Sequence, residues 1–180
     1  YDTGWAMGSN IYGITETMQR FDLQKGGTLH DSLMGFGYAV GPGTFTVNIR
    51  ADNNGYPGPI IESVPLPFSE VDMFHLHTFG DTVQYMGWNC KATLPTALTF
   101  TAGTTIWVGF NIDSLVYDSV NEIELAMMSS SPGYPAPANY AYQSFQDSLY
   151  TLNTIYGSDM VLSIFPVIEY PAGQIRGSVF

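Results

Sequence analysis

The histidines His75 and His77 are separated by one residue and therefore lie on the same face of an extended strand. Two imidazoles placed in this way could bind a transition metal, with Asp72 or Asp81 as a further ligand. A zinc site requires three or four ligands, however, and His30 is the only other histidine in the chain. We therefore interpret the pair as structural or surface residues, and a cupin-like metal enzyme is a less favoured alternative.

The run from Asp52 to Gly55 resembles the start of a calcium-binding loop, since hard cations prefer clustered carboxylate and amide oxygens. Glu62 stands one residue before the position at which an EF-hand places its last ligand, and residues 57–59 contain two prolines that interrupt the ligand positions. A turn stabilised by Asx side-chain hydrogen bonds is the favoured interpretation. No cofactor is expected, and calcium is the alternative, with Asp52, Asn54 and Asp113 as its candidate ligands.

Aromatic residues make up 14% of the chain and suggest a different kind of site. Sugar-binding modules use exposed rings as platforms, because the C–H faces of pyranoses stack on aromatic surfaces. Trp107 is notable because it opposes the apolar face of its own predicted strand. A second sheet or a partner chain that covers these rings is the favoured interpretation. The carbohydrate-platform hypothesis applies to Trp107, Tyr134, Tyr140, Tyr142 and Tyr56.

Signatures of catalysis are weak in this sequence. It contains neither a Gly-x-Ser-x-Gly elbow nor a glycine-rich phosphate loop. Glu122 and Glu124 share one face of a predicted strand, which is typical of a solvated edge. Cys90 is the only cysteine, so no disulfide forms within the chain, and a buried structural thiol is favoured over a nucleophile. We expect a non-catalytic protein.

The charge balance limits the partners of the chain. There are 16 acidic and five basic residues, which give a net charge of -11. Nucleic-acid binding depends on Lys and Arg to release phosphate counterions, so this class of partner is not expected. Anionic membranes are disfavoured for the same reason, and membrane insertion is not expected. Charged residues are only 12% of the chain, about half the usual share, as in many β-rich extracellular domains.

Alternating apolar residues predict the strands that position these groups. Residues 44–50 show the clearest pattern, because Phe45, Val47 and Ile49 fall on one face. Residues 104–112 alternate in the same way. Further strands are predicted at 17–23, 32–40, 71–78, 81–88, 122–128 and 160–168, and Pro166 implies an edge or a bulge in the last of these.

Turn-forming residues separate the predicted strands. They are densest at 51–59, and a longer loop is predicted at 129–137. Residues 140–152 are the best helix candidate, but strand or loop is favoured there. Many short strands with such turns predict an all-β fold, an antiparallel β-sandwich of the jelly-roll or Greek-key kind.

Three segments are expected along the chain: 1–14, a domain at 15–170, and 171–180. Each terminal segment is interpreted as an edge strand that completes the sheet, a linker, or a strand given to a neighbouring subunit. The candidate assembly residues are Trp5, Ile11, Ile175 and Val179.

The segments 18–21, 46–58, 105–110 and 162–167 resemble accessory β-sandwich domains of Bacteroidetes-type secreted and cell-surface proteins. The resemblance spans roughly residues 15–170. Such domains occur in large proteins, many of them exported by the type IX system, and are usually non-catalytic modules beside enzymes or adhesins. The resemblance implies an extracellular or outer-surface location and other subunits or domains as partners. A structural or assembly module is therefore predicted, with a carbohydrate-binding module as the alternative.

Overall fold

The computed structural model describes residues 5–9, 13–73, 77–79, 82–84, 88–115, 120–129, 141–145, 148–157 and 160–171. Strands make up 70% of the structure and helix 6%, and the sheets are antiparallel, which confirms the predicted all-β class. The strands are β1 Trp5–Gly8, β2 Ile14–Asp22, β3 Gly27–Met34, β4 Phe36–Val40, β5 Thr44–Asn53, β6 Tyr56–Pro67, β7 His77–Phe79, β8 Thr82–Gln84, β9 Cys90–Phe100, β10 Thr105–Asn111, β11 Glu122–Ser129, β12 Ala141–Phe145, β13 Ser148–Thr151, β14 Met160–Leu162 and β15 Ile164–Glu169.

Six of these strands form the largest sheet, in the order β13-β12-β2-β10-β5-β6. Its inner face follows the predicted alternation, because Phe45, Val47 and Ile49 are all fully buried. In β10, Ile106 and its neighbour Trp107 are both fully buried, although they point to opposite faces of the strand. Both faces of this sheet are therefore covered at its centre.

Residues of the smaller sheets pack against the inner face of the six-stranded sheet. Phe36 of β4 contacts Phe45 and Phe110 edge to face, with ring centroids 5.1 and 5.3 Å apart. One apolar cluster includes these rings together with Leu29 of β3 and Leu125 of β11. This arrangement of sheets around a shared core is that of a β-sandwich.

Two of the smaller sheets meet at a three-way junction of backbone segments. Gly35 N donates to Ser163 O at 2.8 Å, Ser163 N donates to Ala126 O at 2.9 Å, and Ala126 N donates to Gly35 O at 2.8 Å. On one side of this ring β3 pairs with β15, and on the others β11 pairs with β4 and β14. The strands predicted at 32–40 and 160–168 are each divided here between two sheets. Alternation could not reveal this, because it reports burial and not the identity of the partner strand.

The predicted turn over 51–59 is much shorter in the structure. Only Asn54 and Gly55 lie between β5 and β6, with φ angles of 55° and 87°. This left-handed pair closes a tight hairpin. The prolines that follow belong to β6, which is an edge strand and does not need every N–H for pairing. Pro166 likewise lies in an edge strand, β15, as predicted.

The segment 140–152 is mainly strand, as favoured, and contributes β12 and β13 to the large sheet. A short helix, α1 Leu152–Tyr156, follows directly and was not predicted. Thr151 caps it, because its hydroxyl accepts a hydrogen bond from Thr154 N at 3.1 Å. Gly157, with a φ angle of 70°, ends it.

The first described strand, β1, pairs with β11 of the same chain, with Trp5 opposite Met127. Residues 5–8 thus form an edge strand of the chain's own sheet, which is one of the three interpretations of the N-terminal segment.

Candidate functional site

The tip of the β5–β6 hairpin folds back across the outer face of the six-stranded sheet. The ring of Tyr56, at the tip, lies 5.6 Å from the ring of Tyr142 on β12. Two other strands, β2 and β10, lie between β12 and β5 in the sheet. Because neighbouring strands are about 4.8 Å apart, these rings can meet only if the hairpin tip bends over the sheet.

Trp107 lies beneath this tip and is held by specific contacts. Its Nε1 donates a hydrogen bond of 2.9 Å to Asp52 Oδ1. Its ring meets Tyr142 edge to face at a centroid distance of 5.2 Å, and Met18 completes the buried cluster. The prediction of exposed platforms is therefore wrong at Trp107 and Tyr142, whose rings are buried. Among the described residues, the hairpin of the same sheet contacts both rings, Trp107 through Asp52 and Tyr142 through Tyr56.

The hydroxyl of Tyr142 lies in a buried and partly charged environment. Burial is the largest cause that raises the pKa of Tyr142 above its ordinary value of 10.0, and nearby Tyr56 adds to the increase. The guanidinium of Arg20 acts in the opposite direction. Tyr56, Tyr142 and Arg20 therefore form one local group at the hairpin tip.

Both carboxylate oxygens of Asp52 accept hydrogen bonds, one from the turn and one from Trp107. Its Oδ1 accepts from Trp107, and its Oδ2 accepts from Gly55 N at 2.9 Å. This is the stabilised turn that was favoured over a calcium loop. Asp113 follows β10 at its far end, whereas Ala51, next to Asp52, pairs near the beginning of β10.

The three predicted calcium ligands are thus not brought together. Asp52 and Asn54 lie in one turn, and Asp113 lies near the opposite end of a seven-residue strand. Among the residues that the structure describes, no group of three or more His, Cys, Asp or Glu side chains is arranged to hold a metal ion.

A buried ion pair lies further along the same outer face. Glu16 is almost fully buried, and its Oε2 accepts from Arg50 Nη2 at 2.6 Å. Its Oε1 accepts from Asn48 Nδ2 at 2.9 Å, and Asn48 Oδ1 accepts from Ser63 Oγ at 2.8 Å. Gly109 leaves the room that the carboxylate occupies.

Sequence reasoning missed this network. The signal was available, because Glu16, Met18, Arg20 and Asp22 alternate along β2 and share its outer face. Both carboxylate oxygens of Glu16 accept hydrogen bonds, and Arg50 compensates the buried negative charge. We therefore interpret the Glu16–Arg50 pair as structural.

Tyr56 keeps the exposure that the platform hypothesis requires, with 54% of its surface accessible. Tyr134 and Tyr140 lie outside the described residues, as do His75, Asp81, Ile11, Ile175 and Val179. His77 lies in β7, which pairs with β8 as predicted, and the structure describes only its backbone.

Cys90 is buried, as predicted. Burial is the main cause that raises the pKa of its thiol to about 12, and the negative charge of Glu70 adds to the increase. A thiol with this pKa stays protonated at neutral pH and is a poor nucleophile.

One pocket lies at the end of the sandwich away from the hairpin tip. It has a volume of about 210 Å³ and is lined by Ser9, Gly13, Ile14, Thr15, Ile112, Asp113 and Leu115. Ligand pockets usually enclose roughly 300–1,000 Å³, so this pocket is small for an organic substrate.

Comparison with known proteins adds no relative. No family model, no curated protein and no solved structure matches the chain. In the part of the chain that the structure describes, no helix has the length and apolar character needed to cross a membrane. The fold and the site define an all-β, sandwich-like module with a hairpin folded over one sheet face.

Proposed function

We propose that this chain is a non-catalytic structural module of an extracellular or cell-surface protein, and that copies of it associate through the edge strand β13. The contrast between the two edges of the six-stranded sheet, β6 and β13, carries the proposal. An exposed edge presents unpaired backbone groups that pair with another strand, and proteins commonly protect such edges with proline or charge.

Three edge strands are protected in this way. The strand β6 contains Pro57, Pro59, Pro65 and Pro67, while β9 contains Pro95 and β15 contains Pro166. Like the edge strands β1, β4 and β14 of the four-stranded sheet, the edge strand β13 has neither proline nor charge, and its sequence is Ser-Leu-Tyr-Thr. Leu149 and Tyr150 in it are 42% and 41% exposed.

The register of β13 against β12 determines which backbone groups of β13 point away from β12. Phe145 pairs with Ser148, and only two residues lie between them. In a hairpin with two loop residues, the pair next to the turn, here Phe145 and Ser148, exchanges two backbone hydrogen bonds. Hydrogen-bonded and non-hydrogen-bonded pairs alternate in antiparallel strands, so the next pair, Ser144 and Leu149, exchanges none. Leu149 therefore directs its N–H and C=O away from β12, towards the side on which no described strand pairs with β13.

The charged groups of the described site support a non-catalytic role. Glu16 is paired with Arg50, and both oxygens of Asp52 accept hydrogen bonds from the fold itself. Cys90 is buried and protonated. The low content of charged residues and the resemblance to accessory domains of bacterial surface proteins support a location outside the cell.

The test is the molar mass of the purified chain by size exclusion with light scattering, over a range of concentrations and with or without calcium. We expect the wild-type chain to form multiples of the monomer. Leu149→Pro removes only an outward N–H and should give a monomer, whereas the matched control Leu149→Val should associate like the wild type. A wild-type chain that stays monomeric at every concentration, or a Leu149→Pro variant that associates equally, would refute the proposal.

A further inference from the structure

We infer that the tip of the β5–β6 hairpin binds a neutral pyranose unit of a polysaccharide, with the Tyr56 ring as its platform. The site consists of Tyr56, Arg20 and Asp22. It is separate from the β13 edge, and it does not depend on the association of subunits.

The platform ring is exposed but firmly supported. Tyr56 packs on Tyr142 with an angle of 64° between the ring planes, so this contact occupies at most one face of the Tyr56 ring. Tyr142 packs in turn on Trp107, which is hydrogen-bonded to Asp52. A ring held in this way loses little conformational freedom when a ligand binds, which favours affinity.

Polar groups suited to sugar hydroxyls lie beside the ring. A Cβ atom on Gly55, the residue before Tyr56, would lie 3.9 Å from Arg20 Nη1, so the guanidinium lies against the tip. Arg20 Nε donates to Asp22 Oδ1 at 2.9 Å, and the same oxygen accepts from Thr105 Oγ1 at 2.7 Å.

Within the described residues, these bonds leave the Nη donors of Arg20 and the acceptor Oδ2 of Asp22 for a ligand. No described residue accepts a hydrogen bond from the Nη atoms of Arg20, and none donates to Asp22 Oδ2. A sugar hydroxyl both donates and accepts, so a donor next to an acceptor matches a pair of neighbouring hydroxyls.

Charge favours a neutral sugar over an acidic one. The carboxylates of Asp22 and Asp52 lie at the hairpin tip with Arg20, and the whole chain carries a net charge of -11. A uronate polymer would be repelled by this field. The stacking of a pyranose C–H face on Tyr56 requires no charge.

Other exposed tyrosines lack this surrounding structure. Tyr38 of β4 is also exposed, at 40%, but no described ring packs against it. Tyr38→Ala is therefore a matched control that removes an exposed tyrosine ring outside both the hairpin tip and β13.

The experiment is native gel electrophoresis through gels that contain galactomannan, xyloglucan, dextran or, for comparison, polygalacturonate. We expect at least one neutral polysaccharide to retard the wild-type chain. Tyr56→Ala should weaken the affinity about tenfold, the loss of roughly one stacked ring. Tyr56→Phe and Tyr38→Ala should bind like the wild type, and Arg20→Met should bind more weakly.

Three results would overturn the inference: no retardation in any neutral gel, retardation by polygalacturonate alone, or equal retardation of Tyr56→Ala and the wild type. Thermal melting checks that each variant is folded. Leu149→Pro should bind the polysaccharide unchanged, so a failure of the sugar site and a failure of subunit association are distinguishable.

Discussion

Replacing Gly109 by alanine tests whether the buried Glu16 network stabilises the domain. A Cβ atom at position 109 would overlap Glu16 Oε1 and would lie 3.0 Å from Glu16 Cδ and 3.1 Å from Met18 Cγ. The backbone cannot retreat, because Gly109 is paired with Met18 on one side and with Asn48 on the other. The carboxylate of Glu16 must therefore move, and its hydrogen bonds to Arg50 and Asn48 must break or lengthen.

The expected loss follows from two effects. Overpacking a well-filled site costs about 1–3 kcal/mol. A lost hydrogen bond to a charged group costs about 1.5–3 kcal/mol more. We expect Gly109→Ala to lower the free energy of unfolding by about 2.5–6 kcal/mol, which corresponds to a melting temperature lower by about 5–24 °C for a chain of this size.

Urea unfolding followed by tryptophan fluorescence measures this loss. The control is Gly37→Ala, because a Cβ atom there meets no atom within 4 Å. It should change the free energy of unfolding by less than about 0.5 kcal/mol. Glu16→Asp shortens the carboxylate side chain, so the double variant with Gly109→Ala should lose less than the sum of the two single losses. A Gly109→Ala variant within about 1 kcal/mol of Gly37→Ala would refute the reasoning.

Two further predictions concern single residues. The pKa of Cys90 is raised from 9.0 to about 12 by burial, so its protonated thiol stabilises the fold fully below about pH 9 and this contribution is lost as the pH rises towards 12. Urea unfolding across this pH range should show a decline that is smaller in Cys90→Ala, and an equal decline in both chains would contradict the assignment. At the hairpin tip, Asn54→Val should lower the free energy of unfolding by about 1–2 kcal/mol, because its φ angle of 55° is unfavourable for a β-branched residue. Asn54→Gly should be nearly neutral by the same measurement, and an equal effect of the two substitutions would count against strain as the cause.

The sequence was sufficient for the fold class because side-chain alternation is a local property. Phe45, Val47 and Ile49 show period two, and all three are buried. Where the chain changes partner without changing direction, at Gly35 and Ser163, the local pattern continues and the boundary cannot be recognised. The prolines of β6 had the opposite effect, because they made the predicted turn over 51–59 longer than the observed one. Proline interrupts a central strand but is tolerated at an edge, and edge position is not visible in the sequence.

The candidate site was predictable only in part. Asp52 and its turn follow from local Asx chemistry, and the exposure of Tyr56 follows from its place beside that turn. The contacts of Trp107 and Tyr142 with the hairpin require the hairpin to bend over the two strands β10 and β2, which is a long-range event. The Glu16–Arg50 pair joins two strands that are not adjacent in sequence or in the sheet. Such pairs depend on strand order, which the sequence pattern leaves open.

The three-way junction has a consequence for the order of folding. Gly35, Ala126 and Ser163 are distant in sequence, so their ring of hydrogen bonds closes only when the last of them is available. During synthesis, which proceeds at about 5–20 residues per second, the earlier strands must wait for Ser163 to emerge. Contacts between such distant residues also slow folding in general, because the chain entropy is lost before the contacts are gained. The nascent domain would therefore spend seconds with open strand edges, and it would depend on a chaperone or on rapid synthesis of its C-terminal strands to avoid pairing with other chains.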